Sequence, residues 1–142
     1  MSTAFALHPR LAADCAVVGD LEVCRLLAMN DARFPWCILV PRRSGLTELH
    51  QLDGADRPAL FAEIDAVSQA LLAEPGIRKI NIGALGNMVE QLHIHVVGRR
   101  PDDAAWPGPV WGSGSAEPYP PAQLQTLTHR LQALVPIKSP DA

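Results

Sequence analysis

Residues 91–97 read Gln-Leu-His-Ile-His-Val-Val, an alternation of polar and branched apolar side chains. Successive side chains of a strand point to opposite faces, so the pattern predicts a strand with Gln91, His93 and His95 on one face. Neighbours on one face lie roughly 6.6 to 7 Å apart, at which distance two imidazoles can hold one small anionic or metal group. The stretch therefore predicts both a sheet and a candidate site.

The residues on either side of this strand favour the binding of an anion. Residues 81–87 read Asn-Ile-Gly-Ala-Leu-Gly-Asn, and a segment rich in glycine and asparagine lets backbone and side-chain amides approach an oxyanion. Arg99 and Arg100 follow the strand and add positive charge. These neighbours distinguish the histidine pair from one that simply faces water on a half-exposed strand.

Further strands are predicted from short apolar runs bounded by turn residues. The predicted strands cover residues 15–18, 22–29, 36–40, 77–82 and 91–98. Gly19-Asp20 is interpreted as the hairpin turn between the first two. Residues 101–120 contain many prolines and glycines and are interpreted as a loop.

Two helices complete the prediction. Asp56 is expected to cap the longer one, in which apolar residues recur at helical spacing until Pro75-Gly76 ends it. Residues 121–134 are expected to form a C-terminal helix. Strands in runs with one long helix between them predict an α+β fold with a mostly antiparallel sheet.

Length and composition restrict the class of protein. The chain has 142 residues, the size of one domain, and a net charge of −3, which argues against coating a nucleic acid polymer and favours a small-molecule partner. Its three cysteines lack metal or redox spacing and indicate a reducing compartment. Neither an export signal nor a membrane-spanning run is recognisable, so we expect a cytoplasmic protein without a membrane partner.

The sequence from about residue 15 to 100 resembles the histidine triad (HIT) family of nucleotide hydrolases and transferases. The signature of that family is His-φ-His-φ-His-φ-φ, where φ is apolar, and residues 91–97 match it at every position except the first, which is Gln91. Leu39-Val40-Pro41 followed by arginines resembles the strand-to-turn element of the family. Asn87 stands where an amide or hydroxyl residue contacts phosphate in family members.

The resemblance implies a mechanism and a set of site residues. His93 matches the histidine that attacks the α-phosphorus and forms a nucleotidyl-histidine intermediate, which water then hydrolyses. His95 matches the third triad position and, with Gln91 and Asn87, is implied to bind the phosphates. The resemblance also implies that Asn30 or Asp31 binds the ribose hydroxyls. No cofactor or metal is required, and a dinucleoside polyphosphate is the expected substrate.

The resemblance also implies a homodimer, and the composition of the chain divides it into two segments. Residues 1–105 would form the HIT-like domain, with a core of about 15–100, and residues 106–142 a proline- and tryptophan-containing C-terminal segment that ends in a helix. Trp106 and Trp111 in this segment are expected to pack against the mouth of the site or against a partner subunit.

Several alternatives remain open at this point. A nucleoside phosphoramidase, a nucleotidyl transferase or a noncatalytic nucleotide-binding protein would use the same pocket, although transferases of the wider family carry glutamine at the third triad position, where this chain has His95. A metal protein is a further alternative, because two histidines two residues apart on a strand can ligate a metal. Its third ligand would have to come from His8, His50 or His129, which are scattered along the chain.

Overall fold

The computed structural model of the chain describes residues 4–138. Within them, five strands and three α-helices follow one another, together with one short 3-10 turn, Leu49–Gln51. In chain order the elements are α1 (Pro9–Asp14), β1 (Cys15–Asp20), β2 (Cys24–Met29), β3 (Trp36–Pro41), α2 (Asp56–Leu72), β4 (Lys79–Gly83), β5 (Ile94–Arg99) and α3 (Pro121–Leu134).

The strands form one sheet in the order β1-β2-β3-β5-β4, in which every neighbouring pair is antiparallel. The α+β fold predicted from the sequence is therefore confirmed. Between β3 and β4 the chain leaves the sheet for α2, and β5 later pairs with both strands and lies between them. This position buries all six residues of β5.

The sheet separates two apolar clusters, because alternate residues of each strand face opposite sides. The helix-side cluster contains residues of α2 and α3 together with Cys37 and Leu39 of β3. The cavity-side cluster contains Trp36, Ile38 and Val40 of the same strand, covered by residues from α1 and from the loops. β3 is buried along its whole length for this reason.

The first hairpin differs from the prediction. β1 continues through Gly19 and Asp20, with an irregular register between Val17 and Gly19, and the turn lies at residues 21–23. The buried carboxylate of Glu63 on α2 accepts hydrogen bonds from the amides of Val23 (2.8 Å) and Cys24 (2.9 Å). A contact from a helix 40 residues along the chain thus sets where the turn falls.

The C-terminal helix α3 has the bounds that the sequence predicts, Pro121–Leu134. Its Leu127 and Leu131 are buried in the helix-side cluster, so α3 packs over β1 at the edge of the sheet. Within residues 4–138, no helix combines the length and the apolar character that crossing a membrane requires.

Candidate active site

A cavity of about 770 Å³ lies on the face of the sheet opposite α2. Its walls come from α1, the β2–β3 connection, residues 85–89, the histidine segment and the loop at residues 110–118. Of the six site residues predicted from the sequence, five line it: Asn30, Asp31, Asn87, His93 and His95. The structure therefore brings together residues that are up to 65 positions apart in the chain.

His93 lies just before β5 rather than within it, since the strand begins at Ile94. Its Nδ1 is 2.7 Å from the backbone oxygen of Gln91. A carbonyl oxygen only accepts hydrogen bonds, so Nδ1 carries the proton, and in the neutral ring the lone pair is left on Nε2. The ring is 7% exposed, which permits access from the cavity while its other edge is held.

His95 lies inside β5, opposite Ile38 of β3 and Gly83 of β4. Trp36 lies two residues before Ile38 on the same face, and its Nε1 donates a hydrogen bond of 3.0 Å to Nδ1 of His95. Burial, and next to it the neighbouring His93, lowers the pKa of His95 to about 4. The His95 ring is therefore neutral at physiological pH, with its proton on Nε2.

Trp111 closes the other side of His95, with the ring centroids 5.5 Å apart. It reaches this position over Gly83, where a Cβ would lie only 3.0 Å from Trp111 Cη2. Of the two tryptophans in the C-terminal segment, Trp111 thus lines the cavity, whereas Trp106 covers the Arg99 guanidinium at 5.6 Å.

The side chain of Gln91 turns away from the cavity. Its Oε1 accepts a hydrogen bond of 2.8 Å from the amide of His8, and its Nε2 donates one of 2.9 Å to the oxygen of Ala6. Gln91 instead borders a neighbouring cavity of about 260 Å³ that also contacts His93. Its side chain ties the N-terminal segment to the histidine segment, while its carbonyl orients the His93 ring.

Asn30 and Asp31 differ in burial and in the number of hydrogen bonds that their side chains accept. Asp31 is 1% exposed, and its carboxylate accepts hydrogen bonds from the amide and guanidinium of Arg33 and from the amide of Glu117. Burial opposes ionisation of Asp31, but these bonds outweigh it and lower the pKa of the carboxyl. Asn30 is partly buried and accepts one hydrogen bond of 2.8 Å from the amide of Tyr119.

These bonds fasten the loop that carries Trp111 to the β2–β3 connection. Arg33 donates from Nη1 to the oxygen of Ser113, and the amide of Ala32 donates 2.6 Å to the oxygen of Glu117. With the contacts of Asn30 and Asp31, they hold residues 113–119 at several points. Trp111 is thereby positioned by a network outside the histidine segment.

Asn87 is exposed at the rim of the cavity, in the irregular segment between β4 and β5. Gly86 precedes it with φ +74°, a left-handed conformation that favours glycine. The Gly/Asn segment therefore bends beside the histidines, as its composition predicts.

The sequence does not predict the roles of two residues that contact the site, Trp36 and Arg33. Trp36 belongs to an apolar run that predicts only a buried strand. Because the run does not alternate between polar and apolar residues, it does not indicate which side chains face the histidines. The pairing register of β3 and β5 identifies this contact. Because Ile38 lies opposite His95, Trp36 lies diagonally beside His95. Arg33 was also missed, although it stands two residues after Asp31 in a turn.

The metal-protein alternative requires at least three ligands close together in space. Across residues 4–138, no three His, Cys, Asp or Glu side chains come together as they would around a metal ion. His8 lies in the N-terminal segment, where its Nδ1 accepts a hydrogen bond from the amide of Arg10.

Comparisons with known proteins identify the family of this chain. The HIT domain model matches residues 10–102. A search of curated protein sequences gave no match.

Solved structures of bacterial histidine triad proteins are similar over nearly the whole chain. The protein from Sinorhizobium meliloti 1021 is 45% identical, with a TM-score of 0.89 over 92% of this chain and 97% of that one. The protein from Marinobacter aquaeolei VT8 is 44% identical, with a TM-score of 0.90 over 94% and 97%. The protein from Bradyrhizobium japonicum is 41% identical, with a TM-score of 0.90 over 94% and 99%. The chain therefore belongs to the HIT domain family, which covers nucleotide hydrolases and transferases.

Proposed function

We propose that this protein is a nucleotide hydrolase that acts on the α-phosphate of a dinucleoside polyphosphate or a related adenosine nucleotide. His93 is the nucleophile, and the reaction passes through a nucleotidyl-histidine intermediate. The observation that carries this proposal is the 2.7 Å contact between Nδ1 of His93 and the oxygen of Gln91, which leaves the Nε2 lone pair for attack.

The two chemical steps balance without an added reagent other than water. In the first, Nε2 of His93 bonds to the α-phosphorus and the bond to the leaving-group oxygen breaks. The ring becomes cationic, and the Nδ1–H bond to the Gln91 carbonyl becomes charge-assisted and stronger. In the second, water attacks phosphorus and releases one proton to the solvent, the P–N bond breaks and returns its electron pair to Nε2, and the nucleoside monophosphate leaves.

The substitution of glutamine at the proposed first triad position is compatible with this chemistry. The catalytic contribution of residue 91 is its backbone carbonyl, which every residue type supplies. A glutamine side chain carries no positive charge, so we expect weaker attraction for a long polyphosphate rather than loss of the nucleophile.

His95 and Asn87 are proposed to bind the phosphoryl oxygens, since both line the cavity beside His93. Donors held in place where charge develops commonly contribute roughly 10² to 10³ in rate each. For the ribose hydroxyls we propose Asn30, because Asp31 is buried and its carboxylate is already bonded to Arg33 and Glu117.

The apolar part of the cavity is proposed to hold the base. Its wall is formed by Leu11, Met29, Ile38, Val89, Val110 and Trp111. A volume of about 770 Å³ falls within the range typical of small-molecule sites.

We also propose that the protein is a cytoplasmic homodimer. β4 is an edge strand with Ile82 52% exposed, and α2 leaves Phe61 75% exposed, features that support pairing with a second copy. Light scattering during gel filtration measures this directly, and a single monomer mass at micromolar concentration would contradict it.

The activity is tested by incubating the protein in chelator with diadenosine polyphosphate and, separately, with an adenosine phosphoramidate. AMP released from the first substrate supports the hydrolase. AMP released from the phosphoramidate alone assigns the phosphoramidase alternative. Nucleotide binding without product from either contradicts the proposal and indicates a binding protein.

A further inference from the structure

Trp36 and His95 form the only hydrogen bond between two aromatic side chains in residues 4–138. Nε1 of Trp36 lies 3.0 Å from Nδ1 of His95, and both side chains are 7% exposed. An indole N–H only donates, so Nδ1 must be the acceptor and the neutral ring must carry its proton on Nε2.

We infer that Trp36 is a positioning residue that keeps His95 neutral and fixes its Nε2–H as a donor toward the cavity. The inference deepens the proposed function and rests on it for its catalytic meaning. The tautomer itself is a property of the protein alone and is measured without substrate.

The hydrogen bond from Trp36 disfavours a charged His95 ring. Protonation of His95 would place an Nδ1–H against the indole N–H, two donors facing each other, so the ring can charge only by giving up the hydrogen bond to Trp36. Burial and the nearby His93 act in the same direction and keep the pKa of His95 at about 4. Three features of the site therefore favour the neutral ring.

The two histidine rings therefore present different groups to the cavity. The Gln91 carbonyl fixes the proton of His93 on Nδ1, and the Trp36 indole fixes the proton of His95 on Nε2. One neutral ring thus offers a lone pair and the other a proton donor. His95 can then donate to a phosphoryl oxygen without a second cation forming beside His93, which itself becomes cationic in the reaction.

The charged and titratable groups that line the cavity with His95 come from three parts of the chain. They are His93 from the histidine segment, Arg10 and Asp14 from α1, and Asp31 and Arg33 from the β2–β3 connection. Uncharged residues lie against the His95 ring from three other elements: Trp36 from β3, Gly83 from β4 and Trp111 from the loop. Asp31 and Arg33 pair with each other at 2.8 Å, and Arg10 lies 3.8 Å from Asp14. His93 is therefore the one partner whose change of charge bears most directly on His95.

The wild-type protein gives the first test. In nitrogen-15 NMR of the histidine rings at pH 7, His95 should show an unprotonated Nδ1 and a protonated Nε2, and Nδ1 of His93 should carry a proton. A scalar coupling between Trp36 Nε1 and His95 Nδ1 should also be detected across the hydrogen bond. A protonated Nδ1 on His95, or a charged ring at pH 7, would overturn the inference.

Trp111 supplies a matched control for substitution. Its ring lies 5.5 Å from His95 and that of Trp36 lies 5.7 Å away, but Trp111 Nε1 is buried with no hydrogen-bond partner among residues 4–138. Trp36→Phe and Trp111→Phe therefore each remove one indole beside His95, and only the first removes a hydrogen bond to it.

We expect the His95 ring in Trp36→Phe to titrate about one pH unit above the same ring in Trp111→Phe, because one hydrogen bond to the neutral form is lost. Equal titration in the two variants would overturn the inference. The His93 signals report whether each variant is folded, and if Trp36→Phe does not fold, the wild-type coupling decides.

The pH dependence of kcat in the two variants is an independent test of the positioning role of Trp36. With a substrate that the wild type hydrolyses, Trp36→Phe should lower kcat about two-fold more at pH 5 than at pH 8, because a pKa of His95 about one unit above 4 leaves about half of the rings neutral at pH 5. Trp111→Phe should lower kcat by the same factor at both pH values. If no substrate is turned over, the proposed function fails and the NMR result still stands. If turnover is found and the two variants share one pH profile, the positioning role fails.

Discussion

The imidazoles of His93 and His95 meet edge to face with their centroids 4.9 Å apart, and the two rings hold their protons on opposite nitrogens. At this separation a charge on one ring disfavours a charge on the other, so the two rings are not charged together. The proposed nucleophile thus lies beside a neutral donor rather than beside a competing cation.

Burial of neutral His95 makes the stability of the protein depend on pH. Its folded pKa of about 4 lies below the ordinary value of 6.5, so on acidification the unfolded chain takes up the proton first. The free energy of unfolding therefore falls as pH decreases from about 6.5 to about 4. Between pH 7 and pH 5, His95 accounts for a loss of about 2 kcal/mol, measurable by urea denaturation.

Replacing His95 with asparagine removes this contribution, so the variant should lose about 2 kcal/mol less than the wild type over the same pH interval. His129→Asn is the control for replacing a histidine away from the cavity, since His129 is exposed on α3. Identical pH dependence in wild type and His95→Asn would show that His95 titrates normally in the folded protein.

Gly83→Ala should displace Trp111. The added Cβ would lie 3.0 Å from Trp111 Cη2, which overpacks the site and is expected to cost about 1 to 3 kcal/mol of stability. Thermal unfolding and tryptophan fluorescence report the loss and the displacement. Gly54→Ala is the control, because its Cβ would meet no heavy atom of residues 4–138 within 4 Å. Equal stability of the two variants would contradict the close packing.

Asp31→Asn should loosen the loop that carries Trp111. The substitution breaks an ion pair whose side chains are 2% and 11% exposed, and it leaves the Arg33 guanidinium without its carboxylate. Loss of one partner of a buried pair costs about 3 to 5 kcal/mol. In hydrogen exchange, the amide of Glu117 should lose protection.

The Arg10–Asp14 pair provides the comparison, with side chains 54% and 53% exposed. Asp14→Asn should change stability by less than about 1 kcal/mol, as is usual for a surface pair. If Asp31→Asn is as mild, the Asp31 pair does not hold the loop.

His93→Ala should abolish turnover and leave nucleotide binding largely intact, because the Nε2 lone pair is lost while the other cavity walls remain. Calorimetric titration with AMP and a product assay separate the two effects. Turnover at the wild-type rate in His93→Ala would refute His93 as the nucleophile.

The sequence predicts the sheet and both longer helices, and five of its six predicted site residues lie around one cavity, because alternation, helical spacing and glycine-rich turns are local signals. The bounds of α3 were predicted correctly, since Pro121 begins the helix and its apolar residues follow helical spacing.

The errors came from long-range contacts. Gly19-Asp20 is a local turn signal, but the turn lies at residues 21–23, next to the amides of Val23 and Cys24 that donate hydrogen bonds to the distant carboxylate of Glu63. α1 was missed because six residues are too few for a periodic pattern. The Gln91 side chain was expected to face the site with the histidines, but the strand begins only at Ile94, so strict alternation does not extend back to residue 91.

The central claim, attack by His93 on the α-phosphorus, is tested most directly by stereochemistry. A substrate with a chiral phosphorothioate at the α-position is hydrolysed in oxygen-18 water, and the configuration of the product phosphorothioate is determined. Each in-line displacement inverts phosphorus, so a nucleotidyl-His93 intermediate predicts two inversions and net retention. Net inversion would show direct attack by water and would contradict the account.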